Sequence, residues 1–507
     1  MNRMDPLTLH LADEAATLRF GEDLALALGS GLCVALDGDL GAGKSTLARA
    51  VLRALANDPS LEVPSPTFTL VQVYDLRFQV GHFDLYRIGD SSELDELGFD
   101  EILETGVCLV EWPDRAGSRL PADLLRIELT SEGAGRKATI TGPDRRLARV
   151  KRVLDIRAFL DTHGFAGARR SFLTGDSSFR AYERIQTVDG RGLVLMDAPA
   201  RSNGPVIRDG KTYSQLVHLA EDVRPFIAVD RYLRGIGLSA PEIYEADQEQ
   251  GILVVEDLGS EGVIDADRKP IAERYHEAVL CLAEYHQLPI VRDLPIDATS
   301  VHRVPAFDKA AMLYEVELLL DWHIPWKRNG KEATKAERDA YMAIWSGLID
   351  EALAGETHLV MRDYHSPNLL WLPEREGFRK IGIIDFQDAI IGPSSYDVVS
   401  LVQDARVTVE RPLLDDLMET YMRAREAAGS FDRKSFIRHW SIMSAQRACR
   451  LNGLWVRLLK RDSLPGYMQH MPRTLWHLEV AFEHEALAPL RNWCLEAGIL
   501  SRESVSA

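Results

Sequence analysis

Near the N-terminus, the eight residues GDLGAGKS match the pattern G-x-x-x-x-G-K-[ST] of loops that bind nucleotide phosphates. The loop follows the strand-like run LCVALDG and precedes LARAVLRALA, which has helical periodicity. Backbone N–H groups of such a loop and the N-terminus of the next helix attract phosphate oxygens. Lys44 would reach the β- and γ-phosphates, and Ser45 would offer its hydroxyl to Mg²⁺. We expect ATP to contact Gly38, Asp39, Leu40, Gly41, Ala42, Gly43, Lys44, Ser45 and Thr46.

Two carboxylates are candidates for catalysis beside this loop. Asp84 lies in HFDLYR and Glu111 ends the run LVE, so each stands at or near the end of an apolar strand. Strand ends of this kind face the phosphate loop in α/β sheets, where a carboxylate holds Mg²⁺ or orients water. An acid at a strand end is equally typical of a solvated turn.

A second set of polar residues lies in the C-terminal half. MRDYHSPNLL places Asp363 and Asn368 five residues apart, as in the D-x-x-x-x-N part of a kinase catalytic loop. Asp385 follows in IIDFQD, after a hairpin signal that would bring it close to Asn368. In this interpretation Asn368 and Asp385 bind Mg²⁺ and Asp363 accepts the hydroxyl proton. The alternative is a polar hairpin with turn-forming Asp and Asn.

Further candidates carry weaker signals. Gly175, Asp176 and Ser177, in GDSSFRAY, lie between expected strands and could cover the triphosphate, although alone they form an ordinary turn. Trp322 could stack on a sugar ring together with His323 and Trp326, but aromatic residues spaced in this way belong more often to a core. Arg362 is a second candidate for substrate contact.

The length of 507 residues allows two to four domains. The net charge of -18 disfavours direct binding of nucleic acid, so a tRNA partner would need a local basic patch or a protein intermediary. Five widely spaced cysteines without a CxxC pair indicate reduced thiols. We expect no secretory signal, no membrane span and a cytoplasmic location.

The expected fold is an α/β P-loop NTPase domain followed by an α+β, two-lobed domain of the protein-kinase type. The first domain would span residues 1–145 and the second 157–507. Between them, residues 146–156 form a basic stretch that we interpret as a linker. Its arginines could equally form the exposed face of a short helix.

Five motifs of the first domain occur in a fixed order: GDLGAGKST, SPTFTLVQVY, HFDLYR, DELGFDE and LVEWPDR. They resemble the TsaE family, the small ATPase subunit of the bacterial machinery that makes threonylcarbamoyladenosine in tRNA. The resemblance implies that Ser45 and Glu111 are associated with magnesium, that Asp84 supports catalysis and that Trp112 lies near the site. Ser45 is commonly threonine in the family, which preserves the hydroxyl. The partners implied are the other subunits of the threonylcarbamoylation complex, with tRNA contacted only indirectly.

The second domain contains GDSSFRAYER, LVLMDAP, VVEDLG, MRDYHSPNLL and IIDFQDAIIGPSSYDVVSL. These segments resemble the aminoglycoside phosphotransferase superfamily, and most closely its AmgK-like kinases. Those kinases phosphorylate the anomeric hydroxyl of N-acetylmuramate and N-acetylglucosamine during cell-wall recycling. The resemblance implies ATP and Mg²⁺ as cofactors and an amino sugar as substrate.

Two departures keep alternatives open. Met361 stands where the catalytic loop usually has His, and LVLMDAP offers Met196 or Asp197 where many kinases have the phosphate-pairing Lys. These changes are compatible with a pseudokinase that scaffolds partners. A kinase for choline, ethanolamine or an aminoglycoside is a further alternative.

Overall fold

The computed structural model describes residues 4–173, 180–200 and 206–500. The chain divides into two compact units. Unit 1 comprises Met1–Asp197 with Ile252–Val255, and unit 2 comprises Ala198–Gly251 with Glu256–Ala507. Within the described residues, no helix has the length and apolar character that crossing a membrane requires.

Unit 1 alternates strands and helices along most of its length. Its elements are β1 (Leu7–Leu11), α1 (Glu14–Ala27), β2 (Leu32–Asp37), α2 (Lys44–Ala56), β3 (Val71–Asp75), β4 (Gln79–Asp84), α3 (Glu93–Glu96), α4 (Phe99–Thr105), β5 (Val107–Glu111), β6 (Leu125–Glu132), β7 (Gly135–Thr141), α5 (Asp144–Thr162), β8 (Arg169–Leu173), β9 (Ala181–Gln186) and β10 (Gly192–Asp197).

A seven-stranded sheet of order β1-β7-β6-β2-β5-β4-β3 forms the centre of the first domain. Strands β4, β5, β2 and β6 are parallel neighbours, with Asp84 opposite Glu111 and Leu36 opposite Glu111. Every residue of β5 is buried, as its continuous apolar run predicts. The carboxyl ends of these strands therefore meet at one edge, beside the loop between β2 and α2.

Residues 146–156 lie inside helix α5 and do not form a linker. The first half of α5 contributes Leu147, Val150 and Val153 to the core of the seven-stranded sheet. Its second half contributes Ile156, Phe159 and Leu160 to another core, shared with β9 and β10. The linker expectation was wrong because apolar residues at helical spacing are interleaved with the basic ones.

A buried ion-pair network joins α1 and α5 to strands β8 and β9. The carboxylate of Asp23 accepts hydrogen bonds from Arg157 Nε (3.0 Å) and from Arg170 Nη1 (2.7 Å). The guanidinium of Arg170 also donates to both oxygens of Glu183, at 2.7 and 2.9 Å. All four side chains are at most 8% exposed. Residues expected to belong to separate domains thus share one interior.

Unit 2 is mainly helical, with short strands. Its elements are α6 (Tyr213–Leu216), α7 (Arg224–Gly235), β11 (Ile243–Asp247), α8 (Ala272–Tyr285), β13 (Asp293–Pro295), β14 (Val301–Arg303), α9 (Lys309–Leu318), α10 (Ile324–Lys327), α11 (Lys335–Leu353), β15 (Thr357–Val360), β16 (Leu369–Trp371), β17 (Ile381–Ile383), β18 (Ile390–Pro393), α12 (Ser395–Val402), α13 (Arg411–Ala428), α14 (Arg433–Arg461), α15 (Met471–Ala481) and α16 (Ala488–Glu496). The strand β12 (Ile252–Glu256) begins in unit 1 and ends at the first residue of the second segment of unit 2.

The predicted hairpin of unit 2 is confirmed. Strands β16 and β17 pair antiparallel, with Leu369 opposite Ile383 and Trp371 opposite Ile381. The pairing places the residues just before β16 next to those just after β17. It therefore determines where the polar residues of the catalytic loop meet.

Candidate active sites

The loop between β2 and α2 depends on glycine at two positions. Gly38 and Gly43 have φ angles of +138° and +107°, in the region that side chains other than glycine rarely adopt. A Cβ on Gly38 would lie 2.4 Å from the carbonyl oxygen of Leu129, and one on Gly43 would lie 2.9 Å from Arg136 Nε. The residue before α2 provides no side-chain cap, so the first N–H groups of the helix remain suited to anionic oxygens.

Lys44 lies folded over this loop. Its Nζ donates to the carbonyl oxygens of Gly38 (2.6 Å) and Asp39 (3.0 Å), and lies 3.8 Å from the ring centroid of Trp112. Burial lowers the pKa of Lys44, opposed by the charges of Glu111 and Asp84. The ammonium group is held by neutral carbonyls in a position from which it can turn to a phosphate oxygen.

Glu111 connects the loop to the end of β5. Its carboxylate accepts the hydroxyl of Ser45 at 2.8 Å and contacts His82 Nε2 at 2.9 Å. Glu111 and His82 are 2% and 1% exposed. Ser45 and Glu111, both expected to be associated with magnesium, therefore form a direct pair.

Asp84 lies on the neighbouring strand and is held by a different group of residues. Its Oδ2 accepts the hydroxyls of Thr67 (3.0 Å) and Ser65 (3.4 Å), and its Oδ1 accepts the N–H of Tyr86 at 3.1 Å. These contacts fix the carboxylate at the same sheet edge as Glu111, since the two residues are in register on parallel strands.

In unit 2, the catalytic loop brings together the three polar residues expected there. Asn368 Nδ2 donates to the carbonyl oxygen of Asp363 (3.0 Å) and lies 3.4 Å from Asp385 Oδ2. Gln387 Nε2 donates to the other oxygen of Asp385 at 2.9 Å. Arg362 and Asp385 have φ angles of +74° and +59°, a strained backbone of the kind found at functional sites.

Buried carboxylates beneath the loop maintain that backbone. Asp397 accepts the N–H groups of Met361 (2.7 Å) and Arg362 (2.9 Å), and Asp404 accepts the N–H of Ser366 at 2.9 Å. Burial raises the pKa of Asp397 to about 7. The strained segment is therefore attached at both ends to the helical interior.

The environment of Asp363 favours its ionised form. Burial acts to raise the pKa of Asp363, but its interactions with His365 and with the guanidinium groups of Arg450 and Arg447 outweigh it, so the pKa lies below its ordinary value. A carboxylate that is charged at neutral pH can accept a proton from a hydroxyl group.

Both sites provide oxygen ligands of the kind that Mg²⁺ prefers. Ser45 and Glu111 offer a hydroxyl and a carboxylate, and Asn368 and Asp385 offer an amide and a carboxylate. Across the described residues, no cluster of three or more His, Cys, Asp or Glu could hold a metal ion alone. The ligand sets fit Mg²⁺ that arrives with a nucleotide, because such ions keep phosphate and water ligands.

Comparison with known proteins gives two matches on separate segments. The family model of the threonylcarbamoyl adenosine biosynthesis protein TsaE matches residues 11–139, and that of the phosphotransferase enzyme family matches residues 170–434. The chain belongs to both families. Its fold is that expected, an α/β P-loop domain followed by a kinase-like phosphotransferase domain.

Curated relatives agree with this division. A Caulobacter vibrioides protein named N-acetylmuramate/N-acetylglucosamine kinase is 33% identical over 350 residues, which cover 66% of this chain and 94% of that protein. The Haemophilus influenzae tRNA threonylcarbamoyladenosine biosynthesis protein TsaE is 40% identical over 130 residues, 24% of this chain and 81% of that protein. A solved choline kinase from Streptococcus pneumoniae is 12% identical with a TM-score of 0.43, covering 64% of this chain and 98% of that one.

The structure corrects the role expected for Arg362. This side chain is 1% exposed, and its Nη2 is 2.5 Å from Glu315 Oε1 while its Nη1 donates to the carbonyl oxygen of Val217 at 2.8 Å. Arg362 is thus part of the phosphotransferase interior, and its guanidinium is not presented to a substrate. Its position beside Asp363 in the sequence was misleading because its guanidinium pairs with buried partners from distant segments, Glu315 and Val217.

Other candidates have different outcomes. Trp322 packs against the apolar cluster around Trp455 and Leu451, in agreement with a core role. The expected loop Gly175, Asp176 and Ser177 lies outside the described residues.

The strand position that many kinases give to Lys is occupied by a paired acid. Asp197 accepts a hydrogen bond from Arg152 Nε at 2.9 Å, and Met196 is buried.

Several residues of the two sites escaped sequence reasoning. His82, Ser65 and Thr67 position the acids of the TsaE domain, and Gln387 and Asp397 position those of the phosphotransferase domain. Four of them lie in the motifs SPTFT, HFDLYR and IIDFQD. Their membership of these motifs is the sequence signal that could have identified them.

Proposed function

We propose that the chain has two ATP-dependent activities. The TsaE domain would act as the ATPase of the tRNA threonylcarbamoylation machinery, together with the other subunits and with only indirect contact to tRNA. The phosphotransferase domain would phosphorylate the anomeric hydroxyl of N-acetylmuramate and N-acetylglucosamine. Both activities belong to the cytoplasm in this proposal, and the functional boundary lies within α5.

In the TsaE domain, residues 38–46 would bind the triphosphate of ATP through backbone N–H groups and Lys44. Ser45 and Glu111 would hold Mg²⁺, since the hydroxyl and the carboxylate already lie 2.8 Å apart. Asp84 would orient the attacking water or support the residues that do so. The fixed placement of both acids at one sheet edge supports these roles.

In the phosphotransferase domain, ATP with Mg²⁺ supplies the phosphoryl group and the charge that neutralises its oxygens. Asn368 and Asp385 would hold the metal. Asp363 would accept the proton of the sugar hydroxyl, and its lowered pKa keeps it ionised for this task. The single observation that carries the proposal is the convergence of Asp363, Asn368 and Asp385 at the hairpin.

Replacement of the base tests this assignment. In the full chain, Asp363→Asn should lower the rate of sugar 1-phosphate formation by about 10²–10⁴-fold, the usual contribution of a general base. Asp339→Asn, an exposed acid of α11, serves as the matched control and should leave the rate unchanged. An unaltered rate in Asp363→Asn would refute the role of Asp363.

A substrate panel separates the alternatives for this domain. The wild-type chain is incubated with labelled ATP and N-acetylmuramate, N-acetylglucosamine, choline, ethanolamine or an aminoglycoside. We expect phosphorylation of the two sugars alone. Transfer to an amine would overturn the sugar assignment, and no transfer to any acceptor would favour a pseudokinase.

A further inference from the structure

Unit 2 contains a cavity of about 730 Å³ whose lining is rich in cations. It lies between the loop 267–270, the segment 406–413 and the start of α15. Four cationic side chains line it: Arg268, Lys269, Arg406 and Arg473. Among the described residues of the lining, two are acids, Asp267 and Glu410. An excess of positive charge in one cavity is notable in a chain of net charge -18.

The cations of this cavity are not neutralised by carboxylates. In the part of the chain that the structure describes, none of the four makes an ion pair within 4.0 Å. Arg473 donates instead to the hydroxyl of Thr408 (2.9 Å) and to the carbonyl oxygen of Ala405 (2.7 Å). Neutral partners orient the guanidinium, and the carboxylate of Asp404 acts on its charge without forming an ion pair within 4.0 Å, so the group keeps the capacity to pair with an anion.

Three of these cations act on the same side chain of the cavity lining. His470 lines the cavity and is 8% exposed. Burial lowers the pKa of His470, and the charges of Arg473, Arg406 and Arg268 lower it further, opposed by the charge of Asp404. Three guanidinium groups from separate segments therefore raise the electrostatic potential at one point of the cavity.

Arg406 connects the cavity to the catalytic loop. Its Nη1 lies 3.3 Å from His365 Nε2, and the backbone N–H of His365 donates to the carbonyl oxygen of Asp363 at 3.0 Å. The backbone N–H of Arg406 is bound by Asp404 (2.7 Å), which also holds Ser366 of the catalytic loop. Arg406 thus lines the cavity and also contacts the loop that carries the proposed base.

We propose that this cavity is an anion subsite that binds a carboxylate carried by the acceptor sugar. Arg406 and Arg473 supply the main contacts, and Arg268 and Lys269 add charge at the entrance. The inference rests on the proposed function, which takes an amino sugar as the acceptor. Of the two sugars, N-acetylmuramate carries a carboxylate and N-acetylglucosamine does not, so the subsite discriminates between them.

The experiment compares the two sugars in the full chain. Arg473→Gln should raise the KM for N-acetylmuramate by about 10-fold or more, because a charge-assisted contact to the carboxylate is lost. The kcat for N-acetylmuramate and both constants for N-acetylglucosamine should change less than about twofold. Added salt should raise the KM of the wild type for N-acetylmuramate only.

Two further variants complete the test. Lys434→Gln removes an exposed charge at the start of α14 and should leave both sugars unaffected. Arg473→Lys keeps the charge but loses the planar fork, so it should show a smaller increase in the same KM, and it replaces Arg473→Gln if that variant fails to fold.

The outcomes separate the subsite from the proposed function. If Arg473→Gln changes the KM for both sugars equally, or for neither, the subsite is overturned. In that case, phosphorylation of N-acetylglucosamine by the wild type still upholds the proposed function. If the wild type phosphorylates neither sugar, the proposed function and the subsite both fail.

Discussion

The phosphate loop and the catalytic loop are built in opposite ways. In the loop of residues 38–45, consecutive backbone groups form the site, and three glycines with positive φ allow it. In the phosphotransferase domain, Asp363 and Asn368 of one segment and Asp385 of another form the site, the hairpin pairing brings the two segments together, and Asp397 holds the backbone of the first. The comparison shows that a site formed by backbone groups can be predicted from a run of adjacent residues. A site formed by side chains of separate segments depends on the surrounding fold.

The surroundings of the two loops also differ in charge. Near the phosphate loop, burial lowers the pKa of Lys44 and raises that of Asp37, and the hydrogen-bond partners of the Lys44 ammonium group are carbonyl oxygens. Beneath the catalytic loop, Asp397, Asp404 and His365 all lie buried with shifted pKa values. We therefore expect the phosphotransferase domain to respond more strongly to pH.

The largest effect should come from the buried ion-pair network that joins α1 and α5, which pack on the seven-stranded sheet, to strands β8 and β9. Asp23→Asn leaves Arg157 and Arg170 without their shared carboxylate and should lower the free energy of unfolding of unit 1 by about 3–5 kcal/mol. Denaturant unfolding of the full chain measures this loss, and hydrogen exchange should show weaker protection in β8 and β9.

The matched control for this variant is on the same helix. Glu22→Gln removes a half-exposed pair with Arg169 at 3.7 Å and should cost less than about 1 kcal/mol. Equal exchange of β8 and β9 in the two variants would show that the network does not join these regions.

The next effect should separate the two nucleotide sites. Lys44→Ala removes the ammonium group over the loop, so ATP affinity of the first site should fall about 100-fold, a typical loss for a charge-assisted phosphate contact. Calorimetric titration with a non-hydrolysable ATP analogue should then give one site in place of two. Sugar phosphorylation should stay within about twofold of the wild type.

Lys137→Ala, an exposed residue of β7, is the control for Lys44→Ala and should keep both sites. Two tight sites in Lys44→Ala would contradict the role of the phosphate loop.

The smallest effect concerns the pH dependence of unit 2. Asp230 is fully buried on α7, and among the described residues neither of its oxygens has a hydrogen-bond partner. Burial raises the pKa of Asp230 to about 7, opposed by Arg234 and Arg231 and reinforced by Glu256 and Glu242. The folded state therefore binds its proton more tightly than the unfolded state, whose pKa is near 3.8. Stability should fall as pH rises from about 4 to about 7.

Asp230→Asn removes this pH-dependent cost. The variant should gain roughly 2 kcal/mol relative to the wild type between pH 5 and pH 8. Thermal unfolding of both proteins at pH 5 and pH 8 measures the difference. If the Tm of the variant differs from that of the wild type by the same amount at both pH values, Asp230 does not titrate between them.

The families and the hairpin could be predicted because their signals are local. The phosphate loop is a run of adjacent residues, and the β16–β17 hairpin follows from two apolar runs around a polar turn. The expectation for residues 146–156 failed because basic residues on a helix surface obscured its apolar face. The expectation for Arg362 failed because its buried partners, Glu315 and Val217, come from distant segments.

The sequence by itself determined the two families, the order of their folds and the residue types able to bind phosphate and metal. Only the tertiary structure decided that α5 contributes to two cores, that Glu111 pairs with Ser45 and His82, and that arginines from distant segments meet in one cavity. The physical reason is that backbone conformation and apolar periodicity act between near neighbours along the chain. Burial and electrostatic partnership depend instead on residues that only folding brings together.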